Sequence, residues 1–213
     1  MTDKNYILCF DTCLEKMYIT LSTDNSIIES ETVENHDLKY HSAFLISSVG
    51  QILNKHNLKP ENIQLIGINN GPGSFTGIRA CTTTARVMAQ QLDVKAVGVS
   101  SLEIITKAYE DTKHPSKPVL TALDARKNMA YLYLNNEIKG AVNLDEVKEI
   151  IKNGDFEILT DDKLQPVLGG TSYQKLELPL GEMLTKLTIQ KSKTEDCNWR
   201  KLKPLYIQPP PMG

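Results

Sequence analysis

Hydrophobic positions along the chain fall first into a period of two and then into a helical period. Tyr6 to Thr12 is a short apolar run of Ile, Leu, Cys and Phe, Met17 to Ser22 alternates, and Ile27 to Val33 is β-rich on one face. Leu14-Glu15-Lys16 and Asp24-Asn25-Ser26 break these runs, so three short strands in an antiparallel meander are predicted. From His41 the period lengthens. Phe44 and Leu45, Val49, then Ile52 and Leu53 recur on one helical face, which predicts a helix ending near Asn57 ahead of Pro60. Ile63 to Ile68 predicts a strand, Phe75 to Gln91 a second helix and Ala96 to Val99 a short strand; Ser100 or Ser101 then opens a third helix carrying Leu102, Ile105 and Ala108. A meander followed by strand-helix alternation implies a mixed sheet with helices on its faces, an α/β fold.

The polar, proline-punctuated stretch from Asp111 to Lys117, with His114-Pro115 inside it and Pro118 beyond, predicts a boundary between a half at 1–110 and a smaller half at 117–213. The pattern then restarts: strands at Val119 to Leu123 and Met129 to Leu134, a helix from Leu144 to Lys152, a strand from Phe156 to Leu159. The turn-rich Leu168-Gly169-Gly170 and a helix near Tyr173 to Leu187 follow, giving an abbreviated second half. Pro209-Pro210-Pro211 reads as an extended tail.

Charge narrows the function classes. With 24 Lys+Arg against 26 Asp+Glu and a net charge of −2 in 213 residues, the chain lacks the basic excess needed to hold nucleic acid by phosphate neutralisation alone. Any RNA contact is expected to be local or shared with a partner. The basic residues Lys191, Lys193, Arg200, Lys201 and Lys203 around Trp199 read as a solvated segment before they read as an RNA contact. No apolar run approaches the ~18 residues of a spanning helix, so a soluble, unsecreted, cytoplasmic chain without membrane contact is expected. Cys9, Cys13, Cys81 and Cys197 form neither CxxC pairs nor a disulfide framework, which suits a reducing compartment. His36 and His41 are five apart and have no third ligand nearby, so no metal site is expected; no Gly-x-Ser-x-Gly, HExxH or Cys/His nucleophile pattern occurs either.

The most informative string is GPGSFTGIR. Gly71 and Gly73 permit positive φ, Pro72 stiffens the bend, Ser74 is placed to cap the amides of a following helix, and Thr76, Gly77 and Arg79 continue into that helix. The segment turns a buried strand sharply into a helix, and a helix start beside glycines can also hold an anion. The dinucleotide signature fails because Gly77 comes one position too late, and the ATPase loop fails because no Gly-Lys pair is present.

These residues carry a resemblance that runs nearly the length of the chain. Asp11-Thr12-Cys13 stands where the TsaB (YeaZ) family reads Asp-Thr-Ser, and His41-Ser42 matches its His-Ser at the first helix. Gly71 to Arg79 matches GPGSFTG-[IV]-R in full. Gly98-Val99-Ser100-Ser101-Leu102, Asp124-Ala125-Arg126 with Tyr131, and Pro204-Leu205-Tyr206-Ile207 match the motifs that follow, while Gly140 to Cys197 is weakly supported. The chain is similar to this family of non-peptidase relatives of TsaD/Kae. The resemblance implies an actin-like, sugar-kinase and Hsp70-like fold of two ribonuclease-H-like halves. It further implies a non-catalytic scaffold or activating subunit, without activity alone, of the bacterial complex that makes tRNA N6-threonylcarbamoyladenosine. A TsaD-type subunit would transfer the threonylcarbamoyl group to the adenosine next to the anticodon, a TsaE-type ATPase would serve the complex, and tRNA would be met indirectly. ATP/ADP and metal are then expected on the partner subunits, with no cofactor of this chain's own.

Active members of that superfamily open each half with Asp-x-Gly, whose glycine admits a phosphate. Cys13 in one half and Arg126 in the other stand in place of that glycine, so Asp11, Thr12, Asp124 and Arg126 are degenerate nucleotide-cleft candidates, with Asp11 and Asp124 reading first as satisfied structural aspartates at strand ends; Gly169 and Gly170 resemble an adenosine-side loop or a plain turn. The alternatives from another class are an ATP-using phosphotransferase of the same fold and a glycoprotein peptidase-like enzyme. At helical spacing Gly77, Cys81, Thr84, Ala85 and Met88 form one strip of mostly small residues, and Phe44, Val49 and Ile52 an apolar stripe on the first helix. The resemblance implies that these helices join a TsaD-type partner, or a second copy in a homodimer; Leu45 and Leu53 are expected on the chain's own sheet.

Overall fold

The structure is a computed structural model and describes residues 5–34 and 43–208. His36, His41 and Ser42 lie outside the described residues. Strands β1 (Tyr6–Asp11), β2 (Met17–Thr23) and β3 (Ile27–Val33) form the expected antiparallel meander. Helix α1 (Leu45–Lys55) leads to β4 (Ile63–Gly71), and α2 (Phe75–Leu92) leads to β5 (Lys95–Ser100). β4 pairs parallel with β1, and β5 parallel with β4, so the sheet order is β3-β2-β1-β4-β5. The pleat sorts β1 residue by residue. Leu8 and Phe10 join a core with Leu45, Val49, Ile52 and Leu53 of α1 and Ile78, Cys81, Ala85 and Ala89 of α2. Cys9 faces the other way, beside the hydroxyls of Thr185 and Thr188.

Helix α3 (Ser101–Lys113) opens the second pattern. β6 (Val119–Asp124), β7 (Met129–Leu134), β8 (Glu137–Asn143), β9 (Glu157–Thr160) and β10 (Thr171–Ser172) form a sheet ordered β10-β9-β6-β7-β8. Its strands repeat the pairing of the first sheet: β6, β7 and β8 are an antiparallel meander, and β9 and β10 add in parallel. This is the repeated ribonuclease-H-like order that the resemblance implied, with the second copy shortened to a two-residue last strand. α4 (Leu144–Asn153) packs Leu144 and Val147 against Leu120, Ala122, Ala130 and Leu132, and the four-residue α5 (Gln165–Leu168) adds Leu168.

Besides the short α5 and β10, which the sequence does not predict, two elements differ from the sequence-based expectation. β8 has no counterpart in it: this is a half-exposed edge strand with little apolar alternation, joined to β7 through Asn135 and Asn136, whose φ values of 55° and 60° give a tight hairpin. The last helix is not Tyr173 to Leu187 but α6, Leu180–Thr194, because Pro179 inside the expected span would have broken it. The chain divides into two compact units, one ending its first stretch at Ser101 and taking in Leu180–Leu205, the other spanning Leu102–Pro179. α6, which follows residue 117 in chain order, therefore covers the first sheet, where Thr188 comes so close to Gly67 that a Cβ there would lie 2.1 Å from its hydroxyl.

Candidate functional site

In the first unit, β1 ends at Asp11 and the chain turns through Thr12 and Cys13, all buried. GPGSFTGIR closes over this turn. Ser74 N donates to the Cys13 carbonyl at 2.8 Å, Thr12 Oγ1 donates to the Gly77 carbonyl at 2.9 Å, and Ser74 Oγ accepts from Gly77 N at 3.3 Å to cap α2. A Cβ on Gly73 would lie 2.4 Å from the Cys13 carbonyl oxygen, and one on Gly77 1.9 Å from that of Thr12. Gly71 does take a positive φ of 111°, but Gly73 does not; it is a glycine because two backbones touch there.

The amides of this turn are used internally. Cys13 N donates to Asp11 Oδ1 at 2.6 Å, and Thr12 N points at Cys81 Sγ at 3.2 Å. Asp11 Oδ2 accepts from Asn69 Nδ2 at 2.8 Å, while Asn69 Oδ1 accepts from Gly71 N and from Ser101 Oγ, both at 2.9 Å. The Asp11 carboxyl is pushed up to about 6 by burial, against the pull of the Asn69 and Cys13 donors. The Cys13 thiol is raised by burial first and by the neighbouring Cys81 second.

Asn69, Ser101 and the sulfur of Cys81 belong to this centre, although sequence reasoning does not assign them to it. Asn69 has one legible signal, a polar side chain closing an otherwise apolar strand. The fold also assembles what spacing could not show: one oxygen of Asp11 and the sulfurs of Cys13 and Cys81 lie within 4.8 Å of one another.

The turn in the second unit is built the same way. Arg126 N donates to Asp124 Oδ1 at 2.9 Å, Ala125 N to the Met129 carbonyl at 3.0 Å, and Asp124 N to Asp161 Oδ2 at 2.6 Å. Lys163 Nζ sits 3.1 Å from Asp124 Oδ2. Arg126, Lys127 and Asn128 all have positive φ, a tight turn without a glycine. Gly169 and Gly170 have φ of 77° and 76°; Gly170 packs where a Cβ would lie 2.2 Å from the Ile158 carbonyl oxygen, and its own carbonyl accepts from Gln165 Nε2. Of the described histidines, His56 bonds Glu29 at 2.5 Å and His114 is exposed.

The strip assigned to a partner splits in two. Val49, Ile52, Gly77, Cys81 and Ala85 are buried among this unit's own residues, because the small side chains let α2 lie close on β1 and β4. Thr84 and Met88 are half-buried. Phe44 (40% exposed) and Ile46 (63%) at the start of α1, and Phe75 (40%) and Val87 (53%) on α2, are the large apolar side chains of these helices that remain exposed. Arg79 lies over the Phe75 ring, 5.4 Å from its centroid.

Residues 31–158 match the model of the family described as TsaD: tRNA N6-adenosine threonylcarbamoyltransferase. A "tRNA threonylcarbamoyladenosine biosynthesis protein TsaB" of Bacillus subtilis is 27% identical over 162 residues, 76% of this chain and 69% of that one. The protein of the same description from Escherichia coli is 30% identical over 128 residues, 59% of this chain and 52% of its own length. The solved structure of YeaZ from Pseudomonas aeruginosa superposes with a TM-score of 0.74 at 21% identity, covering 95% of this chain and 99% of that one. A second Pseudomonas aeruginosa structure, described as similar to peptidase YEAZ, gives 0.76 at 19% identity over 96% and 100%.

Proposed function

This chain belongs to the TsaD family and, within it, to the TsaB/YeaZ group, and from that premise we propose that it is a non-catalytic subunit in tRNA N6-threonylcarbamoyladenosine biosynthesis. Its work is to bind and activate a TsaD-type subunit, which carries out threonylcarbamoyl transfer to the adenosine beside the anticodon. Nucleotide, the catalytic metal and the TsaE-type ATPase belong to the partner side of the complex, and tRNA is met through it. No helix among the described residues is long and apolar enough to cross a membrane.

One observation carries this reading. A phosphate needs free amides and room in the turn after each first strand, and both turns use theirs internally. Thr12 N and Cys13 N are taken by Cys81 and Asp11, and the backbone of α2 fills the space beside them. Ala125 N and Arg126 N are taken by Met129 and Asp124, whose carboxylate faces Lys163. That accounting favours a binding subunit over the phosphotransferase alternative, since displacing the hydrogen bonds of the buried first turn would leave polar groups unpaired.

The partner surface is the outward face of α1 and α2, around Phe44, Ile46, Phe75 and Val87, and the same face serves a homodimer when the partner is absent. The test is reconstitution of tRNA modification with each subunit omitted in turn. Modification should require this chain together with the TsaD-type subunit, and this chain alone should transfer nothing; full activity of the TsaD-type and TsaE-type subunits without it would overturn the proposal.

A further inference from the structure

The Asp11, Cys13 and Cys81 side chains are placed together by elements far apart in sequence, the end of β1 and the middle of α2, and all three are almost fully buried. We propose that they form a structural site for a thiophilic d10 cation of the zinc class, tying the β1 turn to α2. Ligand atoms no more than 4.8 Å apart all lie within about 2.8 Å of a common point, so closing to zinc-ligand lengths of ~2.0–2.3 Å takes shifts of at most roughly 0.5 Å for each sulfur and 0.8 Å for the oxygen. The outer contacts that orient such ligands are present before any cation arrives. Asn69 Nδ2 and Cys13 N hold the carboxylate, and Thr12 N points at Cys81 Sγ. Asn69 is itself fixed by Gly71 N and Ser101 Oγ.

Cys13 Sγ now donates to the Asn69 carbonyl at 3.2 Å, and Thr12 Oγ1 lies 3.2 Å from Cys81 Sγ. On binding, both thiols lose a proton to solvent and two sulfur-metal bonds replace the two S–H bonds, with no change of oxidation state. Two thiolates and a carboxylate select a soft or borderline cation over magnesium or calcium. The role is structural, because Asp11, Cys13 and Cys81 are all almost fully buried.

The site is closed, so the test loads it during folding. Tag-free full-length protein is refolded under reducing conditions with Co²⁺, and separately with Zn²⁺. Co²⁺ should bind one per chain with thiolate-to-cobalt charge-transfer absorption that Zn²⁺ abolishes, and Zn²⁺ should raise the melting temperature. Cys13→Ser, which restores the Asp-Thr-Ser reading of the family and so keeps the fold, should lose the absorption and the thermal shift, as should Cys81→Ser. Cys9→Ser and Cys197→Ser should keep both. Absence of the charge-transfer band in refolded wild type, or its survival in Cys13→Ser, overturns the proposal.

Discussion

Gly77 lies so close to Thr12 that a Cβ on it would be 1.9 Å from the Thr12 carbonyl oxygen. Both residues are held: Thr12 Oγ1 bonds the Gly77 carbonyl, and Gly77 N bonds the Ser74 cap. A methyl group there therefore meets backbone rather than a movable side chain. Gly77→Ala should lower unfolding free energy by at least about 3 kcal/mol. Gly50, inside α1, provides the contrast, because a Cβ on it would meet nothing within 4 Å: Gly50→Ala should add about 0.5–1 kcal/mol through helix propensity. Urea unfolding of both variants checks the pair, and equal effects would show that close approach is not what Gly77 serves.

Asp11 gives the protein a pH dependence of known sign. Its carboxyl is raised to about 6 in the folded, metal-free chain, above its ordinary value, so the native state holds this proton more tightly than the unfolded state. The stability contributed by protonated Asp11 is complete below the ordinary carboxylate value and is lost as pH rises through about 6. The change is on the order of 3 kcal/mol for a group this buried. Unfolding free energy measured between pH 4 and 7 should thus fall with rising pH more steeply in wild type than in Asp11→Asn. Parallel slopes would mean that Asp11 titrates normally.

Lys163 and Asp124 separate charge from geometry at the second turn. The pair is 3.1 Å apart with the lysine largely exposed, so Lys163→Ala should cost less than about 1 kcal/mol. It uncovers the Asp124 carboxylate but leaves Ala125 N and Arg126 N bonded to Met129 and Asp124. Calorimetry with Mg-ATP should consequently find no gain of binding in the variant. A new tight site would show that the lysine, and not the closed turn, keeps nucleotide out.

Much of this arrangement is legible in the sequence because it depends on local periodicity. The meander, α1, α2 and α4 follow from apolar spacing, and Ser74 reads as a cap because its side chain serves an amide three residues on. What stays hidden depends on distance in sequence. Cys81 reads as one member of a small-residue strip, since nothing local says that its sulfur meets Thr12 and Cys13. Small residues on a helix permit close approach, but the pattern does not name the neighbour: for Gly77, Cys81 and Ala85 it is the chain's own sheet. α6 shows the same limit. Its apolar residues are visible, yet its packing on the first sheet rather than the second is a property of the folded topology.

Burial separates two classes of variant on α1 and α2 and so tests the partner face. Cys81 is fully buried and surrounded by Phe10, Thr12 and Cys13, so Cys81→Arg should disrupt the fold itself. Val87 and Ile46 are 53% and 63% exposed, and a charge there costs the monomer little. Val87→Glu and Ile46→Asp should therefore retain the wild-type circular dichroism and melting curve while losing association with a TsaD-type partner. Burying an unpaired carboxylate in an apolar interface should weaken binding by about 30-fold or more, equivalent to at least ~2 kcal/mol. Gel filtration and titration calorimetry, with and without the partner, read this out; the homodimer, where it forms, should be lost in the same variants. If both folded variants pair at wild-type affinity, the outward face of α1 and α2 is not the contact, and the turn beneath α2 would have to act through another surface of this unit.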